Sequence, residues 1–183
     1  MAAREAFDPA PGGSPQDLPG TRPAAAGAFG AARLLALLLP AALLAGAWAS
    51  QLWGGLYPCE MCHWQRWPHY AALAIAVLAF VAPFQRSLVA LAAVAIAISG
   101  AIGVFHAGVE WHWWAGPQAC TSTFSTAGLS SAQVLQNILN APVIRCDVAQ
   151  WRFLGLSLAG WNAIFSLGGA AVIGGLLRRS ATR

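Results

Sequence analysis

Long apolar stretches alternate with short polar ones along this chain, and four intervals carry no charged residue. They are Leu34–Cys59, Trp67–Gln85, Ser87–Val109 and Phe153–Leu177. A helix that crosses a bilayer needs about 20 mostly apolar residues. The intervals therefore predict four spans, at about 34–53, 67–83, 87–108 and 155–177. The third reads as an Ala/Val/Ile/Leu helix whose Gly100 and Gly103 offer small surfaces to a neighbour. A fifth charge-free run, Trp111–Ile144, is rich in Ser, Thr, Gln, Asn, Gly and Pro. Irregular backbone cannot face hydrocarbon, so this run is expected at or above the surface. Within it, Ser130–Asn140 sets Val134, Leu135, Ile138 and Leu139 on one helical face. That pattern predicts a short helix, lying on the membrane surface or packed within the loop. The expected fold class is all-α: a membrane-embedded four-helix bundle with two outside loops, the second carrying the short helix.

Composition strengthens the membrane reading. Of 183 residues, 58% are hydrophobic and 9% are charged, against about 25% charged in soluble domains. The net charge of +4 arises without a single lysine. The arginines are scattered singly, which argues against nucleic acid and for membrane topology. If four spans are threaded, Arg4, Arg22, Arg33, Arg86, Arg178, Arg179 and Arg183 share one side, and Arg66, Arg145 and Arg152 the other. The more basic side is cytoplasmic. Both termini are then expected in the cytoplasm, and all four cysteines on the opposite side, where disulfides persist.

Residues 1–30, rich in Pro, Gly and Ala, lack periodicity and read as a disordered cytoplasmic tail. The span-bearing domain is expected over 31–178, with a short cytoplasmic tail at 179–183. Arg33, the apolar Leu34–Gly46 run and the Ala47-Trp48-Ala49 triplet imitate a signal peptide with its cleavage site. The long preceding segment and the apolar character beyond Ala49 favour a retained first span.

The chemistry is concentrated in Tyr57–Tyr70, "YPCEMCHWQRWPHY". Cys59, Cys62 and His63 have the spacing that attaches a c-type haem, whereas Cys-x-x-Cys alone is that of a redox dithiol. Haem also needs a pocket and a shielding fold, and that reading leaves Cys120 and Cys146 without work. A zinc site of Cys59, Cys62, His63 and a distant cysteine likewise leaves cysteines over. Exchange chemistry uses all four, as a close pair, Cys59 and Cys62, and a distant pair, Cys120 and Cys146. A bridge within Cys-x-x-Cys closes a very short loop and is a poor structural clamp. Its useful property is a tunable potential. Four cysteines permit three connectivities, and spacing does not choose among them.

Three segments carry a resemblance to the DsbB disulfide-bond-formation proteins of bacterial inner membranes. "PCEMCHWQRWPHY" resembles that family's Pro-Cys-x-x-Cys-x-x-x-Arg segment. "RCDVAQWRFLGLSLAGWN" is similar to its stretch of Cys, Trp, Phe-Leu-Gly-Leu and a second Trp, and "GVFHAGVEWHWWAGPQAC" to its run before the third cysteine. The resemblance spans roughly Leu34 to Leu177. It implies a relay in which a reduced, DsbA-like thioredoxin-fold protein attacks Cys120, releasing Cys146. Electrons then pass to Cys59–Cys62, and Cys62 faces a membrane quinone, ubiquinone or menaquinone. Disulfides Cys59–Cys62 and Cys120–Cys146 follow, with neither metal nor haem. Alternatives are a membrane cytochrome, a four-span enzyme of the vitamin K epoxide reductase kind, or a membrane protein with two passive disulfides. In the second of these the dithiol usually comes late in the bundle.

Other residues are candidates for the same site. Arg66 lies four residues after Cys62, one helical turn if the helix has begun by then, although Pro68 suits a first turn. A guanidinium there holds a thiolate or donates to a quinone oxygen, and by resemblance the matching arginine serves quinone use. His106, near the outside end of the third span, is a further quinone candidate or a buried histidine satisfied by a neighbour. Glu110 and the nearby tryptophans read as interface anchors. His63 and His69 read as interfacial side chains able to carry protons away.

Overall fold

The computed structural model describes residues 21–117, 130–140 and 144–181. The chain is mostly helical: α1 (Thr21–Leu52), α2 (Glu60–Leu78), α3 (Gln85–Glu110), the short α4 (Ser131–Asn140) and α5 (Leu158–Ala181). Strands β1 (Arg152–Phe153) and β2 (Leu156–Ser157) form a small antiparallel hairpin. Among the described residues, three helical segments are long and apolar enough to cross a membrane: Ala25–Leu52, Gln85–Glu110 and Leu158–Ala181. Helix α2 is not among them, because its first half carries Glu60, His63, Gln65, Arg66 and His69. It nevertheless packs against both α1 and α3, as α5 does.

The boundaries depart from the sequence expectation in informative ways. Helix α1 begins at Thr21, so the tail expected over 1–30 yields its last part to regular helix; residues 1–20 lie outside those described. Helix α2 starts at Glu60 rather than 67, with Cys59 as its N-cap: the Cys59 sulfur accepts a hydrogen bond from the Cys62 N–H at 3.3 Å. Pro68 therefore falls inside the helix rather than at its head, removing the donor that the Trp64 carbonyl would otherwise meet. Helix α5 starts at Leu158 because "FLGL" folds into the hairpin. Leu154 and Gly155 have φ of 51° and 82°, the two positive values that a two-residue hairpin turn of the right twist needs. Ser157 then caps α5, its hydroxyl accepting from the Gly160 N–H at 3.2 Å.

Small residues bring α3 and α5 together. A Cβ added at Gly103 would stand 2.9 Å from the Ala159 carbonyl oxygen and 3.1 Å from the Ala163 nitrogen, so only glycine permits this approach. At one end of the bundle, Ala32, Ala36, Ala76, Val89 and Ile173 form a dry apolar core. There Arg33 stacks on Phe80 at 4.3 Å, and Arg86 donates to the Leu177 and Ser180 carbonyls at the end of α5. The other end holds the dithiol, hydrophilic side chains and a surround of exposed Trp53, Tyr57, Trp67, Trp113 and Trp151. The predicted short helix is α4, begun by a reciprocal Ser130–Gln133 cap.

Candidate active site

The helix that begins at Cys59 sets the site. From Cys62, residues three, four and seven positions on share its face, which places Gln65, Arg66 and His69 below it. The Cys59 and Cys62 sulfurs lie 3.0 Å apart as free thiols in hydrogen-bond contact. The bond between them implied by the resemblance is thus open here, with both sulfurs placed to close it. The hydrogen bond with Cys62, followed by burial, pushes the Cys59 thiol up, so Cys59 retains its proton within the pair.

Cys146, expected in the outer pair, is buried in the same cluster as Cys59, Met61 and Val109, with Cys62 packed against it. A side-chain clamp holds its segment there: Gln150 accepts from the Tyr57 N–H at 3.1 Å and donates to the Tyr57 carbonyl at 2.6 Å. Beside Cys146, Arg145 and Asp147 pair, and the guanidinium holds the Asp147 carboxyl below its usual range. Cys120 lies outside the described residues, so its expected bond to Cys146 does too.

Two cavities meet at Cys62. The smaller, of about 60 Å³, is walled by Cys59, His106, Glu110 and the Cys146-side loop. The larger, of about 240 Å³, lies between α1, α2 and α5 and is lined by apolar side chains such as Leu43, Leu44 and Phe165, with Arg66, His69 and Asn162 as polar points. Cys62 and Arg66 border both. Arg66 is 8% exposed. It donates to the Gln51 side chain at 2.8 Å and the Ala47 carbonyl at 3.0 Å, and lies over the Trp48 ring at 5.3 Å. The helix reaching back to Cys62 is what puts this arginine one turn below the dithiol.

His106 faces the cysteines rather than the larger cavity. Its Nε2 stands 3.6 Å from the Cys59 sulfur and 3.7 Å from a Glu110 carboxylate oxygen. The Gln65 amide nitrogen donates to the Met61 carbonyl, at 3.2 Å, and so must be the end that donates to His106 Nδ1 at 2.8 Å. The ring's hydrogen then sits on Nε2, where the Cys146 backbone, the Cys59 sulfur and the Glu110 carboxylate face it. Cys59, Cys62 and His106 present atoms within 4.8 Å of one another, a spacing compatible with a metal. That Nε2 hydrogen occupies the position a metal would need, so the donor set as arranged suits a thiol pair.

His63 is exposed on α2, and the space against the two thiols is too small for a porphyrin. Among the described residues, the haem spacing is not accompanied by a pocket of haem size against these thiols. Gln65, Asn162 and Gln150 escaped the sequence reading, although a glutamine three residues after Cys62 and an asparagine inside an otherwise apolar run are signals of buried polar function. Residues 30–175 match the family described as Disulfide bond formation protein DsbB. No curated protein and no solved structure matches the chain.

Proposed function

The chain belongs to the DsbB family of disulfide-forming membrane oxidoreductases, and on that premise we propose that it passes electrons from protein thiols to a membrane quinone. Helices α1, α2, α3 and α5 cross the inner membrane with both termini cytoplasmic, and the cysteine end faces the periplasm. The donor is a DsbA-like thioredoxin-fold protein, which attacks Cys120 and displaces Cys146. Cys146, packed in the dithiol's own cluster, is placed to exchange with Cys59. Closing the Cys59–Cys62 bond releases two electrons and two protons, accounted for in a quinol.

The observation that carries this reading is Cys62 standing at the junction of the two cavities. One side meets the loop with Cys146; the other is an apolar cleft whose rim residues Ala42, Gly46 and Phe165 are exposed on the bundle flank. Its chemistry fits a quinone: apolar walls with the aromatic rings of Trp161 and Phe165, and a fixed guanidinium. A quinone bound there supplies the two-electron acceptor. Arg66 then donates hydrogen bonds toward an oxygen that gains negative charge. His106, through its Nε2 hydrogen, steadies the Cys59 sulfur.

The test is reconstitution of the full chain in lipid with a reduced thioredoxin-fold partner and a short-chain benzoquinone. Stoichiometric partner disulfide and quinol should form, and both should be lost in Cys62→Ala. Partner oxidation that continues in Cys62→Ala at the wild-type rate would refute the relay.

A further inference from the structure

The larger cavity is lined by a histidine that the electron relay does not use. His69 is 3% exposed, lines this cavity with Cys62 and Arg66, and its Nδ1 has no hydrogen-bond partner among the described residues. A buried polar atom without a partner is rare and costly, so its state can be worked out from its neighbours. The Asn162 amide nitrogen donates to the Ser99 carbonyl at 3.3 Å, the Ser99 hydroxyl at 3.1 Å and Gln65 Oε1 at 2.8 Å. A carbonyl only accepts, which fixes the Asn162 amide with Oδ1 toward His69. Asn162 Oδ1 lies 2.9 Å from His69 Nε2, and it also accepts the Ser166 hydroxyl at 3.0 Å. Hence Nε2 carries the ring hydrogen, and Nδ1 is a bare lone pair, itself covered, on a ring that lines an apolar cleft.

From this arrangement we infer that His69 Nδ1 is a quinol-selective contact, accepting a hydrogen bond from a hydroxyl of the reduced ring. The inference rests on the larger cavity being the quinone site. A quinone oxygen has no hydrogen to give, and set against Nδ1 it would oppose one lone pair to another. A quinol hydroxyl donates, and so satisfies a buried side-chain acceptor left open among the described residues. His69 follows Arg66 by three residues, close to one turn deeper along the same face. Arg66, a pure donor, and His69, a pure acceptor, can thus address different oxygens of one ring. Preference for the reduced ring raises the potential of the bound couple and draws electrons from the dithiol.

Equilibrium binding to the full chain in lipid nanodiscs tests this, with ubiquinone-1 and its quinol measured separately. A neutral hydrogen bond predicts about a fivefold to tenfold preference for quinol through this contact, or about 20–30 mV for a two-electron couple. His69→Gln keeps a donor at the Nε2 position for Asn162 but removes the atom at Nδ1. It should weaken quinol binding about fivefold to tenfold and leave quinone binding unchanged. Unchanged quinol affinity in His69→Gln, or equal weakening of both ring states, overturns the inference. Gly46→Trp separates it from its premise: a Cβ at Gly46, on the cavity wall, meets nothing within 4 Å, so the added bulk is tolerated and obstructs the cleft. Wild-type quinone and quinol binding in Gly46→Trp would overturn the location of the site itself, and His69 with it.

Discussion

Replacing Arg66 by alanine should disable one half of the relay and spare the other. The guanidinium commits two donors to α1, at 2.8 Å to Gln51 and 3.0 Å to the Ala47 carbonyl, and rests on Trp48. These contacts aim the group before any ligand arrives, and a pre-aimed donor at a developing oxyanion is worth about 2.7–4 kcal/mol, or about 10²–10³ in rate. Arg66→Ala should therefore slow quinone reduction by about 10²-fold or more and raise the quinone KM. Gln51→Ala removes an anchor but leaves the charge, so its effect should stay within about tenfold, roughly 1.4 kcal/mol. Arg66→Lys keeps a charge without the planar fork and should fall between them. The assay is reconstituted enzyme with two separate readings: loss of quinone absorbance, and single-turnover exchange with the reduced thioredoxin-fold partner. Exchange should be unchanged in all three variants. Wild-type quinone kinetics in Arg66→Ala would reduce this residue to an anchor, and equal slowing of both half-reactions would point to a damaged bundle.

Other outcomes follow from the same geometry. Cys146→Ala should trap a reductant-sensitive adduct between Cys120 and the partner, seen as a band shift on non-reducing gels; a stable adduct through Cys59 would reverse the assigned order. His63→Ala, at an exposed position, should keep partner oxidation within about tenfold, whereas loss of a red chromophore would restore the cytochrome reading. The reduced protein should show a pH signature from Cys59, whose thiol is pushed up by Cys62 and burial. A folded-state value above the unfolded one means its contribution is intact below about 8.5 and is lost as pH rises further. Thermal unfolding above about pH 8.5 should show this decline, smaller in Cys59→Ala; an identical profile in that variant would contradict it.

The charge-free intervals located α1, α3 and α5 because a bilayer-length apolar run leaves few alternatives. Gly103 was legible for the same reason, since a small residue in such a run implies close approach. The start of α2 was not legible: Pro68 signals a first turn, yet the Cys59 sulfur caps the helix well before it. That shift matters, for it puts Cys62, Arg66 and His69 on one continuous face. The packing of Cys146 beside Cys59 was not legible, because sequence separation says nothing about a clamp such as Gln150 on Tyr57. His106 was placed by its depth in α3, but its side of the helix was decided by Gln65. The function of "FLGL" as a hairpin turn became visible only through the positive φ of Leu154 and Gly155.

Buried polar groups explain how one bundle prepares both histidines. Gln65, Ser99, Asn162 and Ser166 lie within α2, α3 and α5, where apolar side chains would pack at lower risk, since an unsatisfied polar atom is expensive away from water. The groups satisfy one another: Ser99 Oγ donates to the Gln65 carbonyl at 2.8 Å, Asn162 donates to Gln65, and Gln65 donates to His106. Carbonyls of Met61 and Ser99 supply the fixed acceptors from which every amide orientation follows. The consequence is opposite tautomeric presentation at the two ends of one network. His106 turns an N–H toward the Cys59 sulfur, while His69 keeps a bare nitrogen on a ring that lines the cleft. Asn162→Leu would break this network in the middle. It should loosen His69 more than His106, because Gln65 keeps its bond to Met61. The expected result is loss of ring-state discrimination in quinone and quinol binding, with thiol exchange at Cys59 kept near the wild-type rate. If exchange fell as far as discrimination did, the two histidines would not be set independently, and the network would be one rigid unit.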